Sequence, residues 1–220
     1  MKNKLKDRSK ILTVHSGIDL SKFSHPSTVG YLRERYHLDH DTLLIGNTSA
    51  LSDHKDYPTY LNVARYISNF GVNAKFFIIG TGEMKEVIQK IISDQQLEDH
   101  VIMTGFLNNL PAVLPELDIF LMTSKTEGLG TSILDAFACG VPVVATRAGG
   151  IPEMVIHEET GLLSSIGDFK DLSDNILRII NEPHLKEKLI SNSKKMVRQN
   201  FSKEITARRT LEVYREILLM

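Results

Sequence analysis

Short apolar, β-branched runs recur along the chain, and segments of helical spacing lie between them. The runs are 11–15 (ILTVH), 43–47 (LLIGN), 74–79 (AKFFII), 101–104 (VIMT), 118–122 (DIFLM) and 142–146 (PVVAT), with 161–165 (GLLSS) as a candidate seventh. Near-continuous apolar runs suit strands buried on both faces. Between them, Tyr60, Leu61, Ala64 and Ile67 form one helical stripe, and Met84, Val87, Ile88, Ile91 and Ile92 form another. After residue 169 the tail reads as helix almost throughout, with Leu172, Ile176 and Ile179 on one face and a final helix opened by Phe201-Ser202 and ending near Leu218. This alternation predicts an α/β fold: a doubly wound, Rossmann-like parallel sheet with helices on both faces. No repeat, low-complexity segment or internal boundary divides residues 1–220.

Composition narrows the class. Hydrophobic residues make up 42% and charged residues 24% of 220, the balance of an ordinary globular domain. A net charge of -1 gives no global field toward nucleic acid or an anionic surface, so no nucleic-acid partner is expected. The single cysteine, Cys139, excludes an intrachain disulfide framework and lies in an apolar run that suits packing. No apolar run approaches the roughly 20 residues of a membrane span. The basic start, MKNKLKDRSK, has no apolar stretch behind it and reads as a solvated linker end, not a signal peptide.

In an open parallel sheet, ligands sit beyond the carboxyl ends of the strands. The loops expected there are Gly46-Asn47-Thr48, Gly80-Thr81-Gly82, Gly105-Phe106-Leu107 and 123–130. Glycine recurs at these turns, where it lets backbone approach a ligand or take positive φ, although strand-to-helix turns favour glycine in any case. Taken together on one face they predict a binding cleft. Gly80-Thr81-Gly82 is not a dinucleotide fingerprint: Lys85 stands where the third glycine belongs, and no acidic residue is clearly placed about 20 positions later. A hydride-transfer enzyme is therefore a poor reading.

The densest chemistry lies in 123–161. The run 118–122 enters a loop carrying Glu127-Gly128-Leu129-Gly130, and a helix is expected to begin near Gly130 with Thr131 in its first turn. Its free N–H groups and positive dipole end would make a ready diphosphate site. Asp135 follows Glu127 by eight positions. If both were helical they would be separated by about 12 Å of rise and about 80° of rotation, on a shared side. Ionised carboxylates only accept hydrogen bonds, so one suits hydroxyls at one end of an extended ligand and the other suits its far end. The plain alternative is a carboxylate at a helix start followed by a solvated aspartate.

These motifs resemble the nucleotide-sugar binding segment of the retaining group 1 glycosyltransferases, and the likeness runs nearly the whole length of the chain. His15-Ser16-Gly17-Ile18-Asp19 and Phe23 are similar to the family's interdomain element, with Ser16 where Asn is usual. Ile45-Gly46, Leu51 and Lys55 are similar to its phosphate segment, with Ala50 where the family has arginine. No alanine replaces that fork of donors, so Lys55 is expected to carry the phosphate charge alone or with His54 or Arg147. Gly80-Thr81-Gly82 matches the glycine turn, and Val101 to Leu107 resembles the strand and loop facing the base. Glu127 and Asp135 match paired carboxylates that are usually two glutamates, and Asn200-Phe201-Ser202 to Tyr214 resembles the terminal helices.

The resemblance implies the C-terminal, donor-binding half of a two-domain GT-B enzyme. That enzyme would move a sugar, with retained configuration, from a nucleoside-diphosphate sugar to an acceptor hydroxyl in polysaccharide or glycolipid assembly. It implies donor contacts at Gly46, Lys55, Gly80, Gly82, Gly105, Phe106, Leu107, Glu127, Gly128, Leu129, Gly130, Thr131 and Asp135. Glu127 would position the sugar, Lys55 and the N–H groups of 128–131 would stabilise the leaving diphosphate, and Asp135 would hold the ribose. No metal or other cofactor and no nucleophile are implied. The domain would comprise 1–19 as interdomain linker and first strand, 20–200 as Rossmann-like core and 201–220 as terminal helix. An N-terminal acceptor domain would be missing, and peripheral membrane contact is assigned to that domain, at the inner face of a membrane bounding the cytoplasm. Two alternatives stay open: a non-catalytic nucleotide-sugar binding module, suggested by Ala50 and Asp135, and an unrelated α/β domain such as a sugar-nucleotide epimerase half, which lacks this carboxylate spacing.

Overall fold

The computed structural model describes residues 12–23 and 30–218. Six strands form one parallel sheet: β1 (Leu43–Thr48), β2 (Ala74–Ile79), β3 (Val101–Gly105), β4 (Ile119–Met122), β5 (Val143–Thr146) and β6 (Leu162–Ser164). Their order is β3-β2-β1-β4-β5-β6. The order reverses direction between β1 and β4, and such a switch point opens a crevice beyond the carboxyl ends of those two strands. The helices are α1 (Tyr31–Arg35), α2 (Tyr57–Asn69), α3 (Lys85–Asp94), α4 (Leu110–Val113), α5 (Thr131–Cys139), α6 (Phe169–Asn181), α7 (Pro183–Asn200) and α8 (Lys203–Leu218).

The sheet separates two apolar cores. On one face Leu44, Phe77 and Phe120 pack with Leu32 of α1, Val113 of α4 and Ile133, Leu134 and Phe137 of α5. On the other, Ile45, Phe76 and Ile78 pack with the stripes of α2 (Tyr60, Leu61, Ala64, Ile67), α3 (Ile88, Ile92) and α6 (Leu172, Ile176, Ile179). Alternate residues of one strand feed opposite cores, as the two-residue period of a strand requires. The helix α7 serves both, with Leu189 in the second core and Val197 in the first. Among its residues α8 buries none, and it leaves Leu211, Tyr214 and Ile217 exposed.

Two expectations are corrected. The run at 11–15 is not a first strand: residues 12–17 are irregular, and Ile11 lies outside the described residues. Its neighbour Ile18 makes only an isolated bridge to Ser202, with Ile18 N–H donating to Phe201 O (2.8 Å) and Lys203 N–H donating to Ile18 O (3.0 Å). Those groups are taken by Phe201 and by Lys203 at the start of α8, so the segment is a clasp between chain regions and not a ladder member. Second, Gly46-Asn47-Thr48 is not a loop but the end of β1.

Candidate functional site

The chain leaves β1 through Ser49, Ala50 and Leu51, and this turn packs on the glycine turn after β2. A Cβ on Gly80, whose φ is +150°, would lie 1.9 Å from Ser49 O, and one on Gly82 would lie 2.4 Å from Leu51 O. These glycines let two backbones touch, with Leu51 N–H donating to Thr81 O (3.0 Å) and Met84 N–H to Leu51 O (2.9 Å). Gly80 N–H in turn donates to Gly105 O (2.9 Å), so the loops after β1, β2 and β3 form one floor. Gly46 stands apart from it. It is buried inside β1, where a Cβ would meet Leu117 and Phe77 side chains at 3.0–3.2 Å. Its expected ligand contact is therefore corrected to a packing role.

Above this floor, Gly130 (φ +71°) precedes the first turn of α5, which no side chain among the described residues caps. Between them lies a pocket of about 380 Å³, walled by Thr48, Ser49, Gly80 and Thr81 on one side and by Thr131, Ser132 and Asp135 on the other. Phe106 and Leu107 line its end, and Phe106 is 70% exposed. Burial pushes the Asp135 carboxyl up to about 6, against a smaller opposing pull from Lys22. Ala50 also lines this pocket, and among the described residues no lysine, arginine or histidine does.

The second carboxylate sits in a separate, neighbouring hollow bounded by His54, Thr126, Glu127 and Gly128. Glu127 precedes α5 and is not helical, so the two carboxylates do not share a helix side as an all-helical spacing would give. Lys55 Nζ donates to Glu127 Oε1, with side chains only 13% and 9% exposed, and Ser124 Oγ donates to the same oxygen (2.9 Å). Thr123 fixes the lysine's backbone by donating to Lys55 O (2.9 Å) and Asp56 O (3.1 Å). Behind Glu127, the turn at Gly149-Gly150 presses onto it: Gly150 N–H donates to Glu127 O (3.1 Å), and a Cβ on Gly149 would lie 1.9 Å from that same oxygen. His54 Nδ1 lies 3.2 Å from Ser52 Oγ, and Arg147 is exposed beyond β5.

The structure thus gathers Gly80, Phe106, Leu107, Thr131 and Asp135 around one pocket and Lys55, Glu127 and Gly128 beside another. Gly82 and Gly105 support the floor, and Gly130 and Leu129 lead into α5. The sequence reading did not find the Lys55–Glu127 pair, which joins groups 72 positions apart. Nor did it find that Glu153 at the end of the 149–153 loop meets His15 Nε2 at 2.5 Å. Among the described residues no cluster of His, Cys, Asp or Glu could hold a metal ion.

This sheet, with its crevice at the switch point, is one half of a GT-B glycosyltransferase fold. HepE of Anabaena, solved with UDP and glucose, superposes with a TM-score of 0.83 at 24% identity, over 91% of this chain and 55% of that one. The C-terminal domain of the group 1 protein LpcC from Francisella tularensis superposes with a TM-score of 0.73 at 22% identity, over 84% of this chain and 99% of that domain. The family model "Glycosyl transferases group 1" matches residues 31–196, and the chain belongs to that family. It is similar to the N-acetyl-alpha-D-glucosaminyl L-malate synthase of Bacillus anthracis, at 30% identity over 67% of this chain and 39% of the relative. It is also similar to the amylovoran biosynthesis glycosyltransferase AmsK of Erwinia amylovora, at 29% identity over 93% of this chain and 50% of the relative. The chain thus spans half or less of the length of both curated relatives.

Proposed function

We propose that this chain is the donor-binding domain of a retaining glycosyltransferase, taking a sugar from a nucleoside-diphosphate sugar to an acceptor hydroxyl. The observation that carries this reading is the pocket between the loops after β1 to β3 and the uncapped start of α5, with the Lys55–Glu127 pair beside it. The nucleoside end would lie in the pocket, its base on Phe106 and its ribose hydroxyls on Asp135. The diphosphate would lie at the first turn of α5, where free N–H groups and the helix dipole favour negative charge. The sugar would reach Glu127. Lys55 would stabilise charge on the departing diphosphate, and no metal or other cofactor would be needed. Support for the donor class comes from HepE, whose fold this chain shares and which has been solved with UDP-glucose.

Acceptor binding would fall to a second domain, as the length of the relatives suggests. Names such as amylovoran biosynthesis and capsular polysaccharide biosynthesis among the relatives support a place in polysaccharide or glycolipid assembly. A cytoplasmic site at the inner membrane face is proposed on that ground. Among the described residues no helix is long and apolar enough to cross a membrane. The non-catalytic reading keeps one observation in its favour: Ala50 supplies no cation to the pocket, and Lys55 is already engaged by Glu127. Turnover of donor by the full-length protein separates the two.

The direct test is a thermal-shift screen of UDP, GDP, ADP and their sugars, run with and without excess chelator. A ligand at 100 times its Kd adds about 2.7 kcal/mol, or roughly 5–10 °C for a domain of this size. The shift is expected to persist in chelator. No shift with any diphosphate, confirmed by calorimetry, overturns the reading, and a strict need for magnesium or manganese overturns the metal-free mechanism.

A further inference from the structure

Almost every buried hydroxyl around the site has a partner. Ser49 Oγ pairs with Tyr57 Oη at 2.7 Å, and Thr59 Oγ1 donates to Asp56 Oδ2 at 2.7 Å. Ser124 Oγ serves Glu127, and Thr146 Oγ1 donates to Ser124 O at 2.6 Å. Thr48 is the exception: it is 7% exposed, and its Oγ1 has no hydrogen-bond partner among the described residues. A buried hydroxyl left unpaired is unfavourable unless something else completes it.

The direction of this side chain follows from the strand. Leu44, Gly46 and Thr48 share one face of β1. Leu44 packs in the core that contains Ile133, Leu134 and Phe137 of α5, and Gly46 faces Leu117 and Phe77 of that same core. Thr48 continues this face beyond the packed layer, into the pocket whose far wall is Thr131, Ser132 and Asp135. Asn47 Oδ1 also has no hydrogen-bond partner among the described residues, but strand alternation turns it to the opposite face and it does not line the pocket.

We propose that Thr48 is a donor-binding residue whose hydroxyl is completed by an oxygen of the bound nucleotide, either a ribose hydroxyl or a phosphate oxygen. This rests on the donor-binding reading of the pocket. The hydroxyl donates one hydrogen bond, and as an acceptor it can also take a ribose O–H. It fixes the nucleotide against the end of β1, opposite the carboxylate of Asp135. In a pocket lined by no cationic side chain among the described residues, a neutral donor of this kind anchors an oxygen without changing the charge of the site.

The test uses Thr48→Val, which keeps the shape and removes the hydroxyl, and Thr48→Ser, which restores it. Calorimetry is run with whichever of UDP, GDP or ADP binds the unaltered protein, and with the matching nucleoside. Thr48→Val is expected to weaken diphosphate binding about five- to tenfold, with an unliganded melting temperature equal or higher, because the unpaired group is gone. Thr48→Ser is expected to return to within about twofold. A loss shared by nucleoside and diphosphate assigns the contact to ribose, and a loss confined to the diphosphate assigns it to phosphate. Unchanged diphosphate affinity in Thr48→Val overturns the proposal, as does a lowered affinity that Thr48→Ser fails to restore. If no diphosphate binds the unaltered protein, the donor-binding reading fails first and this proposal with it.

Discussion

Glu127 has two donors, Lys55 Nζ and Ser124 Oγ, in a place nearly closed to water. Removing one partner of such a pair strands the other charge, which costs more than the pair contributes. Lys55→Ala is therefore expected to lower stability by about 3 kcal/mol, and adding Glu127→Gln should recover more than half of that, read by urea denaturation. The two losses adding independently would show that no such coupling exists. Lys55→Ala should also weaken a nucleoside diphosphate far more than its nucleoside. At Asp135 burial outweighs an opposing pull from Lys22. Its folded value of about 6 lies above its ordinary 3.8, so the folded state holds that proton more tightly. The resulting stability is complete below about 3.8 and is lost as pH rises through 6. Asp135→Asn should then raise the melting temperature at pH 8, with the gain shrinking toward pH 4. A shift of this size has a ceiling near 3 kcal/mol, and partial solvent access reduces it to about 1 kcal/mol. A gain independent of pH would show that burial of the charge is not its source.

The Gly149-Gly150 turn illustrates what an element contributes to a site it never enters. It is a bracket against Glu127 and Gly128, and a Cβ on Gly149 (φ +51°) meets Glu127 O at 1.9 Å while one on Gly150 meets Gly128 O at 1.9 Å. Gly149→Ala is expected to displace the 127–128 loop, lowering stability by about 1–3 kcal/mol and weakening sugar-nucleotide binding with it. Gly128→Ala is the contrast, because open space surrounds that Cβ. Its melting temperature should hold within about 0.5 kcal/mol equivalent, so any loss of binding there reports close ligand approach. Equal destabilisation by both would remove the bracket from the argument. Periodicity alone placed β2 and β3 to within a residue, because near-continuous apolar runs such as AKFFII have few other solutions in a chain of this composition. It misplaced the run at 11–15, whose apolar residues look the same but whose last carbonyl, His15 O, accepts from Thr206 Oγ1 of α8. Gly46 was misread for a related reason. A glycine needed for side-chain packing and one needed for ligand approach are identical in sequence. The contacts Lys55–Glu127 and His15–Glu153 link positions 72 and 138 apart, distances over which no local spacing carries information.

At the scale of the molecule, two cores on one sheet form the frame, and the crevice at its switch point is the consequence of strand order. The clasp lies outside that frame. Ile18 bridges Ser202, Thr206 Oγ1 donates to His15 O (2.9 Å), Lys203 Nζ meets Asp19 Oδ2 (2.8 Å), and a Cβ on Gly17 would lie 2.3 Å from Ser202 O. These partners are roughly 180 positions apart in the chain, and closing so long a loop in the unfolded chain is entropically expensive. The clasp can therefore form only after the sheet has brought α8 to its place. In kinetic terms it is expected to be a late event, absent from the rate-limiting step of folding. Gly17→Ala should accordingly speed unfolding and leave the folding rate unchanged, moving only one arm of the denaturant dependence measured by stopped flow. A slowed folding arm would mean that the clasp is made early. With only the unfolding arm moved, the bridge between Ile18 and Ser202 would govern how long the native state lasts, not how quickly it is reached.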